Sequence, residues 1–149
     1  MRELKFRIWL DKASQMVYPD KRGLLKLSND KTYFLNAIGQ LVEPDNSQLM
    51  SVVVQQYTGL KDKNGNEIYE GDIFRIEEDD DIFYVVIFWV KEWCMFCSLL
   101  VDEYHNYKMK GVKSLDEPMF WTYSLEDTDS RKHFLCGNIY ENPSIIAQP

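Results

Sequence analysis

The sequence predicts a mainly β protein, built as a small antiparallel barrel or a strongly bent sheet with minor helical content. Two segments alternate apolar and polar residues, and a third, residues 82–90, is an unbroken β-branched and aromatic run. An Asn-Gly pair, typical of hairpin turns, stands at residues 64–65. The chain has 149 residues, so we expect a single domain over residues 1–149.

The strands are predicted in chain order from their side-chain periodicity. Residues 4–10 and 50–55 alternate, which indicates strands with one buried face. Residues 82–90 are apolar throughout, which favours a central strand covered on both faces. Residues 93–101 form a second such run, and we expect the two runs to pair as a hairpin.

Turns and helices are predicted from glycines and local pattern. Asn64-Gly65 favours a type I′ turn, and Thr58-Gly59 a second tight turn. Gly71-Asp72 is expected to open a strand, with the aspartate accepting hydrogen bonds from nearby backbone N–H groups. Short helices are expected at residues 102–110 and 114–117, and an irregular loop at residues 111–130.

Composition narrows the class of protein. The chain is 45% hydrophobic and 14% aromatic, enough to form a packed core, which excludes global disorder. Its net charge of −7 disfavours general binding to nucleic acid or anionic membrane. No apolar run approaches the roughly 20 residues of a spanning helix, and the N-terminal residues lack a signal-peptide pattern. We therefore expect a cytoplasmic protein whose three cysteines are reduced.

The charge is unevenly distributed along the chain. Residues 1–33 carry eight Lys or Arg against four Asp or Glu, and residues 62–81 carry nine acids against two bases. An acidic face could therefore meet a basic one, within the fold or between copies of the chain. Homo-oligomer formation stays open on this ground.

The sequence shows no assembled catalytic constellation. It contains neither a P-loop nor a G-x-S-x-G elbow, and no nucleophile pattern accompanies His105 or His133. A calcium loop starting at Asp62 would need Gly at its sixth position and Glu at its twelfth, where Glu67 and Ile73 stand. We expect a protein that is not an enzyme and has no cofactor.

A zinc site is one alternative. The motifs C-x2-C and H-x2-C supply four candidate ligands, Cys94, Cys97, His133 and Cys136. However, Cys94 and Cys97 lie three apart in a strand-like run, which would direct them to opposite faces. The competing interpretation is that these cysteines are small core residues.

An acidic run and a basic segment give two further candidates. The run consists of Glu77, Glu78, Asp79, Asp80 and Asp81. It could bind a divalent cation, imitate a nucleic-acid backbone toward a basic protein, or form a solvated hairpin tip. Nucleic-acid binding would instead use the basic N-terminal residues, Arg2, Lys5, Arg7, Lys12, Lys21 and Arg22. Trp9, Tyr18 and Tyr57 could stack on bases, but no basic groove is evident beside them, which favours core or interface packing.

Three blocks of sequence resemble the YopX family of bacteriophage and prophage proteins. They are residues 2–9 with Asp11 and Met16, residues 56–73 and residues 137–143. Leu10 departs from the family pattern, in which Trp runs directly into Asp. The resemblance implies a small, mostly β protein of a temperate phage that acts inside the bacterial host. It implies no established activity and no catalytic residues.

The function that we expect is non-enzymatic binding to a host or phage protein. A rigid loop on a β scaffold is a common place for a contact surface. The candidate contact residues are Lys61, Asp62, Asn64, Glu67 and Tyr69, with the acidic run at residues 77–81 steering a basic partner.

Overall fold

The structure is a computed structural model that describes residues 4–11, 14–19, 24–26, 32–35, 40–42, 49–78, 80–111 and 133–147. It is mostly β with two short helices, which confirms the predicted class, and one sheet curls into a half-barrel. The elements are β1 (Phe6–Leu10), β2 (Gln15–Val17), β3 (Leu24–Lys26), β4 (Thr32–Leu35), β5 (Gln40–Val42), β6 (Leu49–Ser51), β7 (Val53–Lys61), β8 (Glu67–Tyr69), β9 (Asp72–Glu78), β10 (Asp81–Val90), β11 (Met95–Leu100), α1 (Val101–Lys110), β12 (His133–Asn138) and α2 (Pro143–Ile146).

Tertiary contacts divide the chain into two compact units, Glu3–Tyr57 and Thr58–Pro149. Strand β7 passes from the first unit into the second. The expected single domain over residues 1–149 stays a prediction. Among the described residues, neither helix has the length and apolar character needed to cross a membrane.

In the first unit, β1 pairs antiparallel with β2 and with the first residues of β7. Ile8 is fully buried and packs with Leu10, Val17 and Tyr33. The strand was predicted to have one buried face, but Arg7 and Trp9 on the other face are buried as well. Strands β3, β4, β5 and β6 form a separate antiparallel meander.

In the second unit, an antiparallel sheet has the strand order β11-β10-β9-β12. Strand β10 is central and pairs with β11 as a hairpin, as the apolar runs predict. Successive β10 residues point to opposite faces, so Val86 and Val90 belong to one buried cluster and Val85 and Ile87 to another. Both faces of the last half of β10 are therefore covered.

The helix expected at residues 102–110 is α1, one residue longer at its start. Glu103 Oε2 accepts the Leu100 N–H at 2.9 Å, which satisfies a backbone donor just before the first turn. Tyr104 and Tyr107 bury their rings edge-on against Phe88, with centroids 5.3 and 5.5 Å away. The expected helix at residues 114–117 and nearly all of the loop at 111–130 lie outside the described residues.

Of the two predicted tight turns, the one at Asn64-Gly65 is present but is not of type I′, and the one at Thr58-Gly59 is wrong. Gly65 has a φ of +84°, but Asn64 does not have the positive φ that a type I′ turn requires. The turn has three residues, 63–65, between Asp62 and Asn66. The Asp62 N–H donates to Asn66 O at 2.8 Å and closes it, and inside it the Gly65 N–H donates to Asp62 O at 2.9 Å. Thr58-Gly59 forms no turn, since β7 continues through it with Gly59 at a φ of +93°.

Candidate functional site

Two of the family-like blocks meet at a buried polar junction. Asn138 of β12 is the register partner of Asp72 in β9, and each residue is only 1% exposed. Asp72 Oδ2 accepts the Tyr69 N–H at 2.8 Å, and Oδ1 accepts Asn138 Nδ2–H at 3.4 Å. The predicted role of Asp72 as a backbone acceptor is thereby confirmed. The junction joins the β8–β9 turn to the last strand of the sheet.

The residues after Asn138 form a second compact arrangement. Asn142 Oδ1 accepts the Asn138 N–H at 3.1 Å, while Asn138 O accepts the Asn142 N–H at 2.8 Å. Asn138 Oδ1 also accepts the Tyr140 N–H at 3.0 Å. The Asn142 side chain lies where a Cβ at Gly137 would stand, so any larger residue there would displace Asn142 from its hydrogen bond with the Asn138 N–H. The third block is therefore explained by its own backbone hydrogen bonding.

The Asp62 loop, residues 61–67, is organised by one carboxylate. Asp62 Oδ1 accepts the backbone N–H groups of Asn64 and Asn66 at 2.9 and 2.8 Å, and Oδ2 accepts Asn66 Nδ2–H at 2.9 Å. Burial tends to raise the pKa of Asp62, but hydrogen bonds from Asn66 and Asn64 together outweigh it and hold the pKa below its ordinary value. A charged Asp62 thus fixes the shape of this loop.

The Asp62 loop contacts the sheet through a cation–π interaction between Lys63 and Phe134. Lys63 Nζ lies 3.8 Å from the centroid of the Phe134 ring, and Arg75 Cζ lies 5.9 Å from it. Arg75 in turn forms an ion pair with Glu77. Ile82 is the register partner of Glu77 and is 55% exposed. We call this group the Phe134 surface: Lys63, Arg75, Glu77, Ile82 and Phe134.

The predicted contact residues of the loop divide into exposed and buried ones. Lys61 and Asn64 are exposed, and Asp62 and Glu67 are half-buried. Tyr69 is only 4% exposed, and its hydroxyl donates to Glu67 Oε2 at 2.7 Å. As placed, Tyr69 supports the loop from inside and offers no side-chain surface to a partner.

The acidic run lies at the tip of the β9–β10 hairpin. Asp81 pairs in register with Glu78 there, and the side chains of Asp80 and Asp81 are exposed. Glu77 belongs to the Phe134 surface through Arg75. Asp79 and the side chain of Glu78 lie outside the described residues. The loop and the base of the acidic run, far apart in sequence, thus border one surface.

The four candidate zinc ligands are not brought together. Cys97 lies on β11, and His133 and Cys136 lie on β12, the opposite edge of the sheet. Two strands between those edges separate them by about 14 Å along the sheet, more than one zinc ion spans. Within the described ranges, which include all four residues, no three His, Cys, Asp or Glu residues are placed to hold a metal.

The cysteines occupy two kinds of environment. Burial raises the pKa of the Cys97 and Cys136 thiols, which pack against the core as the competing interpretation expects. Cys94 is exposed, so the interpretation as a core residue is wrong for it. Strand β11 begins at Met95 and not at residue 93 as predicted, and Cys94 lies in the turn at residues 91–94 with a φ of +51°.

The basic N-terminal segment is only partly described. Arg7 is buried, and its Nε–H donates to Gln55 Oε1 at 2.7 Å, so it is not a surface contact for phosphate. Lys5 Nζ lies 5.6 Å from the Tyr57 ring centroid. Trp9 and Tyr57 are buried core residues, while Tyr18 is exposed. Arg2, Lys12, Lys21 and Arg22 lie outside the described residues.

Sequence reasoning missed Arg75, Ile82 and Phe134. Phe134 and Arg75 are register partners although 59 residues separate them, and local periodicity carries no information on such pairing. Phe134 and Leu135 are adjacent apolar residues, so the sequence does not indicate which of them is buried, and the structure places Leu135 against the core and Phe134 on the other face.

The comparisons with known proteins agree with this description. The chain is similar in structure to protein EF1440 from Enterococcus faecalis, at 22% identity and a TM-score of 0.56, over 98% of this chain and 99% of that chain. This likeness concerns the fold alone. No curated protein matches the sequence. The model of the family described as YopX protein matches residues 5–147, essentially the whole length, and the chain therefore belongs to the YopX family.

Proposed function

We propose that this YopX-family chain is a non-enzymatic phage or prophage protein that binds another protein in the cytoplasm of the bacterial host. Its contact surface is the Phe134 surface together with the exposed part of the Asp62 loop. The observation that carries the proposal is Phe134 itself, an aromatic side chain 36% exposed between cationic groups. Aromatic and arginine side chains are enriched where protein interfaces derive most of their binding energy.

The surface combines apolar area with charges of both signs. Covering the exposed parts of Phe134 and Ile82 would remove apolar area from water, worth about 25 cal/mol for each Å². Arg75 and Glu77, which lie on β9 between Phe134 of β12 and Ile82 of β10, already form an ion pair with each other. A partner therefore meets charges whose positions are fixed. Such a pattern selects the orientation of the partner more than it adds affinity.

The exposed carboxylates of Asp80 and Asp81 lie at the hairpin tip that adjoins this surface. They favour a partner with a basic patch, because complementary charge accelerates association and is screened by salt. The partner we propose is therefore a host or phage protein with a basic patch beside an apolar one.

The first test is capture of the partner from bacterial host lysate, with and without nuclease. Phe134→Ser should lose a partner that the native chain retains after nuclease treatment. Met109→Ser is the matched control, because Met109 is 82% exposed on α1 and its replacement also removes exposed apolar area. Equal capture by Phe134→Ser and the native chain, or a partner released by nuclease, would overturn the proposed surface.

Once the partner is identified, the proposed electrostatic steering by Asp80 and Asp81 is tested separately. The double substitution Asp80→Asn with Asp81→Asn should slow association and flatten its dependence on salt concentration. Asp102→Asn, at an exposed carboxylate in the first turn of α1, gives a comparison of the same chemistry elsewhere. Unchanged association kinetics in the double variant would remove Asp80 and Asp81 from the binding mechanism.

A further inference from the structure

We infer that Asn64 is a site of spontaneous covalent modification, deamidation through a cyclic imide, at a rate set by Asp62. Asn64 is the one asparagine of the 149-residue chain that glycine follows. The attacking atom in this reaction is the backbone nitrogen of the next residue, and glycine shields that nitrogen least because it has no Cβ. The inference is independent of the proposed binding function.

The reaction consumes one water molecule and releases one ammonia molecule, and it needs no other reactant. The Gly65 nitrogen loses its proton to solvent base and bonds to Asn64 Cγ, the Cγ–Nδ2 bond breaks, and ammonia leaves. Water then opens the imide at either carbonyl, which gives aspartate or isoaspartate at position 64. Both residues are exposed, and apart from its chain neighbours nothing lies within 4 Å of a Cβ built at Gly65, so the surroundings of Gly65 are open.

The folded loop restrains this reaction at its first step. The nitrogen that must lose its proton is the donor of the Gly65 N–H to Asp62 O bond, 2.9 Å long. The Asn64 backbone is also held, because its N–H donates to Asp62 Oδ1 at 2.9 Å. Both acceptors belong to Asp62, so the imide forms only when the hydrogen bonds to that residue open. Asp62 therefore slows the modification in the native chain relative to the unfolded chain.

The product changes the Asp62 loop in two ways. Each product adds a carboxylate beside the charged Asp62, and isoaspartate also inserts one methylene into the backbone between β7 and β8. The extra methylene is incompatible with the 2.8 Å bond from Asp62 N–H to Asn66 O that closes the loop. The position of Lys63 over Phe134 depends on the same loop.

Peptide mapping by mass spectrometry tests the inference on the full-length chain in mildly alkaline buffer. We expect conversion at Asn64 in the native chain, more slowly than in the denaturant-unfolded chain, and none of comparable rate at Asn66, the neighbouring asparagine. Asp62→Ala keeps the main-chain acceptor of the Gly65 N–H but removes the carboxylate that accepts three hydrogen bonds from Asn64 and Asn66. It should accelerate conversion about fivefold or more, since about fivefold is the factor for one lost hydrogen bond. Asn66→Ala, which removes a single side-chain donor to Asp62, is a milder variant if Asp62→Ala does not fold.

The experiment tests the site at Asn64 and the restraint by Asp62 separately. Absence of conversion at Asn64 in the native chain, over a period in which the unfolded chain converts, overturns the site. Conversion at equal rates in the native chain and in folded Asp62 or Asn66 variants overturns the restraint by Asp62. Asn64→Gln should remove the conversion from that peptide, and conversion that persists there would assign it to another residue.

Discussion

Asp72 and Asn138 face each other across β9 and β12 and are joined by a side-chain hydrogen bond while both are almost fully buried. A buried carboxylate is costly unless donors surround it, and here the Tyr69 N–H and Asn138 Nδ2–H are two such donors. The partners come from the two blocks at residues 56–73 and 137–143. Part of the family-like sequence therefore serves one internal junction, while the Asp62 loop, in the block at residues 56–73, belongs to the proposed contact surface.

Because Asn138 lies in this junction, we expect its replacement to lower the free energy of unfolding. Asn138→Ala removes a donor to Asp72 and the acceptor of the Tyr140 N–H, and both hydrogen bonds belong to a buried site. We expect the free energy of unfolding to fall by about 2–3 kcal/mol. Denaturant titration measures this, with the exposed Asn64→Ala as control, for which we expect a change within about 0.5 kcal/mol. Equal losses in the two variants would contradict the assigned role of the junction.

Gly137 is expected to tolerate no side chain while Asn142 is present. A Cβ at Gly137 overlaps Asn142 Oδ1, the acceptor of the Asn138 N–H, so Gly137→Ala should lower the free energy of unfolding by about 1–3 kcal/mol. The double variant with Asn142→Ala tests the cause, because removing the obstructing side chain should make the two losses less than additive. Strict additivity, measured by denaturant titration, would show that the overlap with Asn142 is not the source of the loss.

The sequence predicts individual strands better than the pairs they form. The alternation at residues 4–10 and the run at 82–90 identify β1 and β10, since both patterns reflect local burial. The Asp72 side chain was also predictable, because its acceptor role is local. The burial of Arg7 was not, since it depends on Gln55, 48 residues away. Pairing over such distances is decided by tertiary packing.

In the candidate site too, local sequence predicts some features, and strand pairing determines the others. The Asp62 loop was recognisable from its Asn-Gly pair, but the turn type was wrong because the Asp62 carboxylate organises a three-residue loop instead. Tyr69 reads as a surface aromatic in isolation and is buried by the fold. Phe134 and Arg75 enter the site only through the pairing of β12 with β9. Their combination with Lys63 could not be read from spacing along the chain.

Asp62 should make the stability of the chain depend on acid pH. Because the folded pKa of Asp62 is lowered, its contribution is fully present above the ordinary aspartate pKa of about 4 and is lost as the pH falls through the lowered value. Asp62→Ala should therefore reduce Tm at neutral pH and reduce it progressively less in acid. Thermal unfolding of both chains across this range measures the difference. A difference in Tm that stays constant into strong acid would contradict the assigned charge of Asp62.

The last prediction concerns Tyr107 and Glu92, which join α1 to the β10–β11 turn. The Tyr107 hydroxyl donates to Glu92 Oε2 at 2.7 Å, and this bond is the main cause that lowers the pKa of Glu92, with a smaller contribution from Lys91. Tyr107→Phe keeps the ring that packs against Phe88 and removes only the donor. The pKa of Glu92 should then rise toward its ordinary value.

Titration of the side-chain carboxyl signals by NMR follows Glu92 directly, and Asp62, whose carboxylate is held by hydrogen bonds within the Asp62 loop, serves as the internal control. We expect Glu92 to titrate at higher pH in Tyr107→Phe while Asp62 keeps its lowered pKa. If the two carboxyls shift together, the substitution has disturbed more of the chain than this contact. If neither shifts, the hydroxyl does not control the charge at this turn, and the attachment of α1 depends on the aromatic contacts with Phe88 instead.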